Sequence, residues 1–178
     1  MNRILFEKDE ISGGVARCGG VRAEHILKVL HGEVGQRLKT GEIGGKVGTG
    51  EIISVLSSGE VEIAVCHDEE GLPSWVDVVM APPRPRVMKR LLPQMAALGV
   101  GRIVLVGAKK VEKDFWGATL LKEENFRPLL IDGLMQSGTS ELPILETRRN
   151  FRRFLVEELD ALFPTRNRVV AHPYRVRR

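Results

Sequence analysis

Aromatic residues are scarce in this chain. They make up 5% of 178 residues, with one Tyr and two Trp. So few rings cannot line an extended series of base-stacking platforms. Cysteine is scarcer still. Cys18 and Cys66 stand far apart, which excludes a disulfide scaffold and a clustered thiolate metal site and fits ordinary reduced thiols. No apolar run approaches the roughly 18 residues of a membrane span, and no signal pattern opens the chain. The expectation is a soluble, cytoplasmic protein without a membrane partner. Glycine is plentiful at 19 residues, yet no GxGxxG or Walker spacing occurs. No metal-ligand constellation is visible either, and none is expected at the site.

What is present is enough apolar sequence, 43%, to bury one core or two small ones. Charge divides the chain. Residues 1–71 carry 8 Lys and Arg against 12 Asp and Glu, whereas residues 72–178 carry 19 against 11. An acidic first module and a basic second module are expected, the second facing a polyanion such as nucleic acid.

The stretch Ser74–Lys110 organises the second module. Val76, Val78, Val79 and Met80 are strand formers. Pro82, Pro83 and Pro85 then forbid further sheet pairing. Met88, Leu91, Leu92, Met95 and Leu98 recur at helical spacing, and Gly99 fits a helix stop. Ile103 to Val106 reads as a strand covered on both faces. This is a strand, a crossover helix and a parallel strand. Pro93 conflicts with a straight helix, at a cost of about 3 kcal/mol relative to Ala.

Arg84, Arg86, Lys89 and Arg90 fall just beyond the first of these strands, and Lys109, Lys110 and Lys113 beyond the second. Open α/β folds bind ligands outside the carboxyl ends of their strands. These residues are therefore candidate phosphate contacts, with a plain solvated helix start as the alternative. Trp116 either anchors its loop on the domain, stacks on a base or meets a second copy.

Later segments predict a helix within 120–136 lined by Phe126, Leu129, Leu130 and Leu134. Gly133 should allow close packing there, and Pro128 should limit the helix before it. A short strand is expected over 142–145. A third helix over 151–162 should turn Phe151, Leu155, Leu159 and Leu162 inward, with Arg148, Arg149, Arg152 and Arg153 at its start. A strand over 168–171 should lead to His172.

The first module, 1–71, reads as a small strand-rich barrel. Its clearest strands are 49–55 and 60–65, joined by the Ser57-Ser58-Gly59 turn. A short helix over 22–30 should face Ile26, Val29 and Leu30 inward. Arg22 and Lys28 are the candidate phosphate contacts of this module. His25 and His31 bracket the helix, either as structural side chains or facing the same partner. Residues 67–74 form a polar boundary, so the modules are 1–71 and 74–178.

The order of several modest motifs resembles the RsmE-type ribosomal RNA uridine N3-methyltransferases of the SPOUT class. The carrying segments are Arg22-Ala-Glu-His-Ile-Leu-Lys-Val-Leu30, Arg84-Pro-Arg-Val-Met-Lys-Arg-Leu-Leu92, Ala97-Leu-Gly-Val100, Lys110-Val-Glu-Lys-Asp-Phe-Trp116, Gly133-Leu-Met-Gln136 and Ala171-His-Pro173. The resemblance implies a PUA-like β-barrel followed by an α/β SPOUT-like domain. It implies S-adenosylmethionine as methyl donor, 16S ribosomal RNA in the small ribosomal subunit as partner, and a homodimer. The family's glycine-rich Pro-Glu-Gly-Gly loop and closing Leu-Arg segment have no counterpart before residue 178. The α/β domain is therefore expected to be incomplete, with a truncated product or a noncatalytic RNA-binding protein as the alternative function. No catalytic residue is assigned. His172 is a weak candidate for a cofactor contact.

Overall fold

The computed structural model describes residues 3–109, 111–117, 119–164 and 167–171. The first module is built on β1 (Ile4–Phe6), β2 (Ile11–Ser12), β3 (Val15–Cys18), β4 (Arg37–Glu42), β5 (Val47–Val55) and β6 (Val61–Glu69). They form one curled, open half-barrel sheet in the order β1-β4-β5-β6-β3-β2, with β1 and β2 at its edges. Only the β1–β4 pair is parallel. Alternation along the strands gathers Ile4, Phe6, Leu38, Ile52, Val61 and Ile63 into one core. Ala23 and Ile26 of the connecting helix close over it.

That helix begins as α1 (Gly20–Glu24) and widens into a π-helical turn over His25–Val29. The Leu30 N–H reaches back five residues to the His25 carbonyl, at 3.0 Å. The wider turn changes which side chains meet the core. Leu27 packs inward with Leu30, while Val29, expected inside, is 61% exposed.

Arg22 is drawn into the module. It donates to both carboxylate oxygens of Glu10, from Nη1 at 2.8 Å, and to the Leu5 carbonyl at 2.9 Å. Its guanidinium also lies 5.8 Å from the Phe6 ring centroid. Burial pushes the Glu10 carboxyl up, but the Arg22 hydrogen bond, the Glu7 amide and the Arg22 charge together bring it below the usual carboxylate range. A depressed carboxylate stabilises the fold above its unfolded pKa and loses that contribution as pH falls through the folded value. Glu10→Gln should therefore lower Tm at neutral pH and flatten its decline below roughly pH 4.5. Thermal melts from pH 3 to 7 check this; an unaltered acid limb would count against the Glu10 assignment.

The second module is a three-stranded parallel sheet in the order β7-β8-β9, from β7 (Val76–Met80), β8 (Val100–Val106) and β9 (Ile144–Arg148). Helix α2 (Pro85–Ala97) joins β7 to β8, and α3 (Glu123–Leu134) precedes β9. Both pack on one face around Met88, Leu92, Ile103, Leu105 and Leu130. The helix α2 runs through Pro93 and stops at Gly99, which adopts φ +76°. Leu98, expected on the inner stripe, is 65% exposed, because its residue already caps the helix; its carbonyl accepts from Trp75 Nε1 at 2.6 Å.

Pro128 does not delimit α3 but lies inside it as its sixth residue, where it removes one intrahelical hydrogen bond. Gly133 meets Pro93 where α3 crosses α2, and a Cβ there would approach the Pro93 carbonyl oxygen well inside 3.0 Å. The close packing expected of Gly133 is thus present.

The opposite sheet face carries α4 (Phe151–Arg153), a π-helical turn over Phe154–Glu158 and α5 (Leu159–Leu162). Phe154 and Phe163 cover Val104 and Val106, with Leu159 and Leu162 beside them. Phe151 and Leu155, expected inward, are 45% and 42% exposed. The π turn moves the inward position to Phe154. Val79, beside Val104 in the β7–β8 register, is 39% exposed, so β7 is covered chiefly on its α2 side. The strand expected over 168–171 does not form. Those residues join no strand ladder among the described residues, and Val169 and Val170 are 95% and 86% exposed. A strand without a ladder partner leaves its backbone to water.

The modules are stitched together by backbone. Arg3 N–H donates to the Met135 carbonyl at 3.2 Å and Gly44 N–H to the Ser140 carbonyl at 2.8 Å, while the linker's Leu72 N–H donates to Gly138 at 3.1 Å. Arg127 adds a two-armed ion pair to Glu7, with one arm at 3.0 Å.

Candidate nucleic-acid interface

The carboxyl ends of β7, β8 and β9 lie side by side because all three strands run parallel. The loops and helix starts that follow them carry most of the basic residues. After β7 come Arg84, Arg86, Lys89 and Arg90, all exposed. Arg84 is the N-cap of α2, Pro85 opens its first turn, and that turn holds no acidic residue. Four cations near a helix N-terminus oppose its dipole. None of the four side chains makes an ion pair or hydrogen bond among the described residues. After β8 comes Lys109, also exposed and unpaired among the described residues. Lys110 and His172 lie outside the described residues, as does the side chain of Lys113, whose backbone begins a short 3-10 helix (Lys113–Gly117).

Arg148 ends β9, and Arg149, Arg152 and Arg153 follow it. Arg148 is held by Glu146, at 2.7 Å, and by Glu158; the hydrogen bond to Glu158 raises its guanidinium above the usual range despite some burial. Arg153 pairs with Glu157 at 2.9 Å. Arg149 instead sits 5.9 Å from the centroid of Trp116. Trp116 packs against the second core, which favours anchoring among its expected roles. Gly107 holds β8 and β9 together at this edge. Its N–H donates to the Arg148 carbonyl at 2.9 Å, and a Cβ there would collide with the Arg149 carbonyl. Neither Gly107 nor the Arg149–Trp116 contact is foreseen by reading the sequence. The isolated glycine after an apolar run was the available signal.

The first-module candidates lie elsewhere. Arg22 is occupied by Glu10 and Leu5 as described, and Lys28 pairs with Glu24 at 3.2 Å on an exposed helix face. Among the described residues, Arg84, Arg86, Lys89, Arg90 and Lys109 thus follow parallel strand ends, whereas Arg22 and Lys28 belong to the helix of the half-barrel. At the strand ends Pro82, Pro83, Pro85, Met88, Phe115, Leu120 and Leu121 enclose a cavity of about 10 Å³.

Residues 70–176 match the family model described as the RNA methyltransferase domain. The chain belongs to that family. It is 30% identical over 157 residues to ribosomal RNA small subunit methyltransferase E of Treponema pallidum, covering 86% of this chain and 59% of the relative. A second relative, ribosomal RNA small subunit methyltransferase E 1 of Borreliella burgdorferi, is 24% identical over 155 residues, covering 87% of this chain and 65% of its own length. The fold also matches the crystal structure of ribosomal RNA small subunit methyltransferase E from Neisseria gonorrhoeae bound to S-adenosyl methionine. That match has a TM-score of 0.65 at 18% identity and covers 88% of this chain and 65% of the other. The chain thus spans less than two thirds of the length of the curated relatives it matches.

Proposed function

We propose that this chain serves S-adenosylmethionine-dependent methylation of small-subunit ribosomal RNA at N3 of a uridine, as a cytoplasmic homodimer. The half-barrel corresponds in this reading to a PUA-like module. One observation carries the reading: in a member of the RNA methyltransferase domain family, exposed cations with no carboxylate partner among the described residues follow the carboxyl ends of parallel strands. Among the described residues, no helix is long and apolar enough to cross a membrane.

N3 of uridine carries a proton that must leave for the nitrogen to take a methyl group. The donor supplies that methyl when bound; the protein must orient the base and accept the proton. The described residues do not by themselves fit the donor. The cavity at the strand ends is about 10 Å³, against roughly 300–1,000 Å³ for small-molecule sites. No methyl-transfer step is therefore assigned to a residue. What the strand-end cations supply is a grip on phosphates, charge-assisted and sequence-independent.

The same small cavity favours a second reading, RNA binding without methyl transfer. Calorimetric titration with S-adenosylmethionine, paired with transfer of radiolabelled methyl to purified small subunits, separates the two. Donor binding with label at uridine N3 selects the first reading. RNA binding with neither donor binding nor label selects the second reading, and no RNA binding rejects both.

A further inference from the structure

Trp116 and Arg149 come together where the loops after β8 and β9 converge. The indole rests against the core that includes Met88 and Leu120, so its position is fixed by packing. Arg149 is exposed, and its contact among the described residues is the face of that ring, at 5.9 Å. Its neighbours differ. Arg148 and Arg153 have carboxylate partners, which hold them in place without any ligand. Among the described residues this guanidinium is held by a ring and by no carboxylate, so it is weakly held and can be exchanged. A nucleotide offers a partner for each half of the pair. Its base can stack on the indole, and its phosphate can take the guanidinium through two parallel hydrogen bonds.

The geometry points to a single-nucleotide platform at this place: one unpaired base of single-stranded RNA stacks on Trp116, and Arg149 moves from the ring to the adjoining phosphate. The inference rests on the RNA-binding reading above and deepens it by naming the strand state of the substrate. Paired bases keep their faces inside the duplex, whereas an unstacked base is free to occupy an indole. Scarcity of aromatics fits a site for one base and not a track for many.

The chain has two Trp, so Trp75→Phe leaves Trp116 as the sole indole emitter. Trp75 lies at the other end of β7, 74% exposed and outside the proposed site. Saturating oligouridylate should quench Trp116 emission by about half, while inorganic polyphosphate, which has charge but no bases, should not. Trp116→Leu should weaken oligouridylate binding about tenfold and leave polyphosphate binding unchanged. Because Trp116 touches the core, Arg149→Gln provides a surface variant. It should keep the quench, bind more weakly and reduce the salt slope by about 0.7. Salt-dependent RNA binding with unmoved Trp116 emission, or equal quenching by polyphosphate, overturns the platform and leaves the RNA-binding reading standing. No binding of any RNA overturns both.

Discussion

Gly133→Ala is expected to cost the second module about 3 kcal/mol, a fall in Tm of roughly 6–12 °C for a chain of this size. The reason is the crossing of α2 and α3. Gly133 faces the Pro93 carbonyl, and the added methyl would sit where that oxygen already is. Backbone cannot rotate aside as a side chain can, so the two helices must separate. Separation would open the core between Met88, Leu92 and Leu130, which are 2%, 0% and 0% exposed. Alanine has higher helix propensity than glycine by about 1 kcal/mol, so propensity alone predicts the opposite sign. The direction of the shift in a thermal melt thus decides between local preference and packing. A raised Tm would show that the helices part freely.

Replacing Arg84, Arg86, Lys89 and Arg90 together by Gln should have the largest effect on RNA. For single strands each neutralised phosphate contributes about −0.7 to the slope of log affinity against log salt. Removing all four charges would lower the slope by roughly 3, and affinity at about 50 mM salt by on the order of 10³-fold. These side chains are exposed and have no partners among the described residues, so the fold should be unharmed and Tm nearly constant. Lys28→Gln is the control, since Lys28 already pairs with Glu24. Fluorescence anisotropy across a salt series reads both numbers. An unchanged slope in the fourfold variant would place the RNA grip elsewhere.

Much of the second module could be read from residue order. Val76–Met80, the Pro elbow, the apolar stripe of α2, Gly99 and the Val-rich β8 each state their structure locally, and the structure follows them. Errors gather where structure departs from the regular 3.6-residue period. Apart from Leu98 at the end of α2, the misread burial falls in two helices, those expected over 22–30 and 151–162, and each contains a π turn. One wide turn shifts the phase, so Val29 in the first and Phe151 and Leu155 in the second face water. Periodicity cannot reveal an inserted turn that tertiary packing selects. The strand expected at 168–171 fails for a related reason: valines favour a sheet only when a neighbouring strand accepts them.

At the candidate interface, the clustering of basic residues after strands was legible because parallel topology sends those loops to one edge. What each cation does was not. Arg22 looks like a surface residue at helical spacing, yet Glu10, twelve residues earlier, claims it. Arg149 looks like one of four similar arginines, yet only the fold shows that it faces an indole. Side-chain partners across sequence distance require the fold.

The seams at Arg3–Met135, Gly44–Ser140 and Arg127–Glu7 have one more consequence. A tether by itself would let the half-barrel swing and fit itself to whatever bound. Seams in three places make it a fixed jig, so any substrate touching both modules would have to bring a matching bend of its own. Selection among RNAs would then begin with their contour, before any base is inspected.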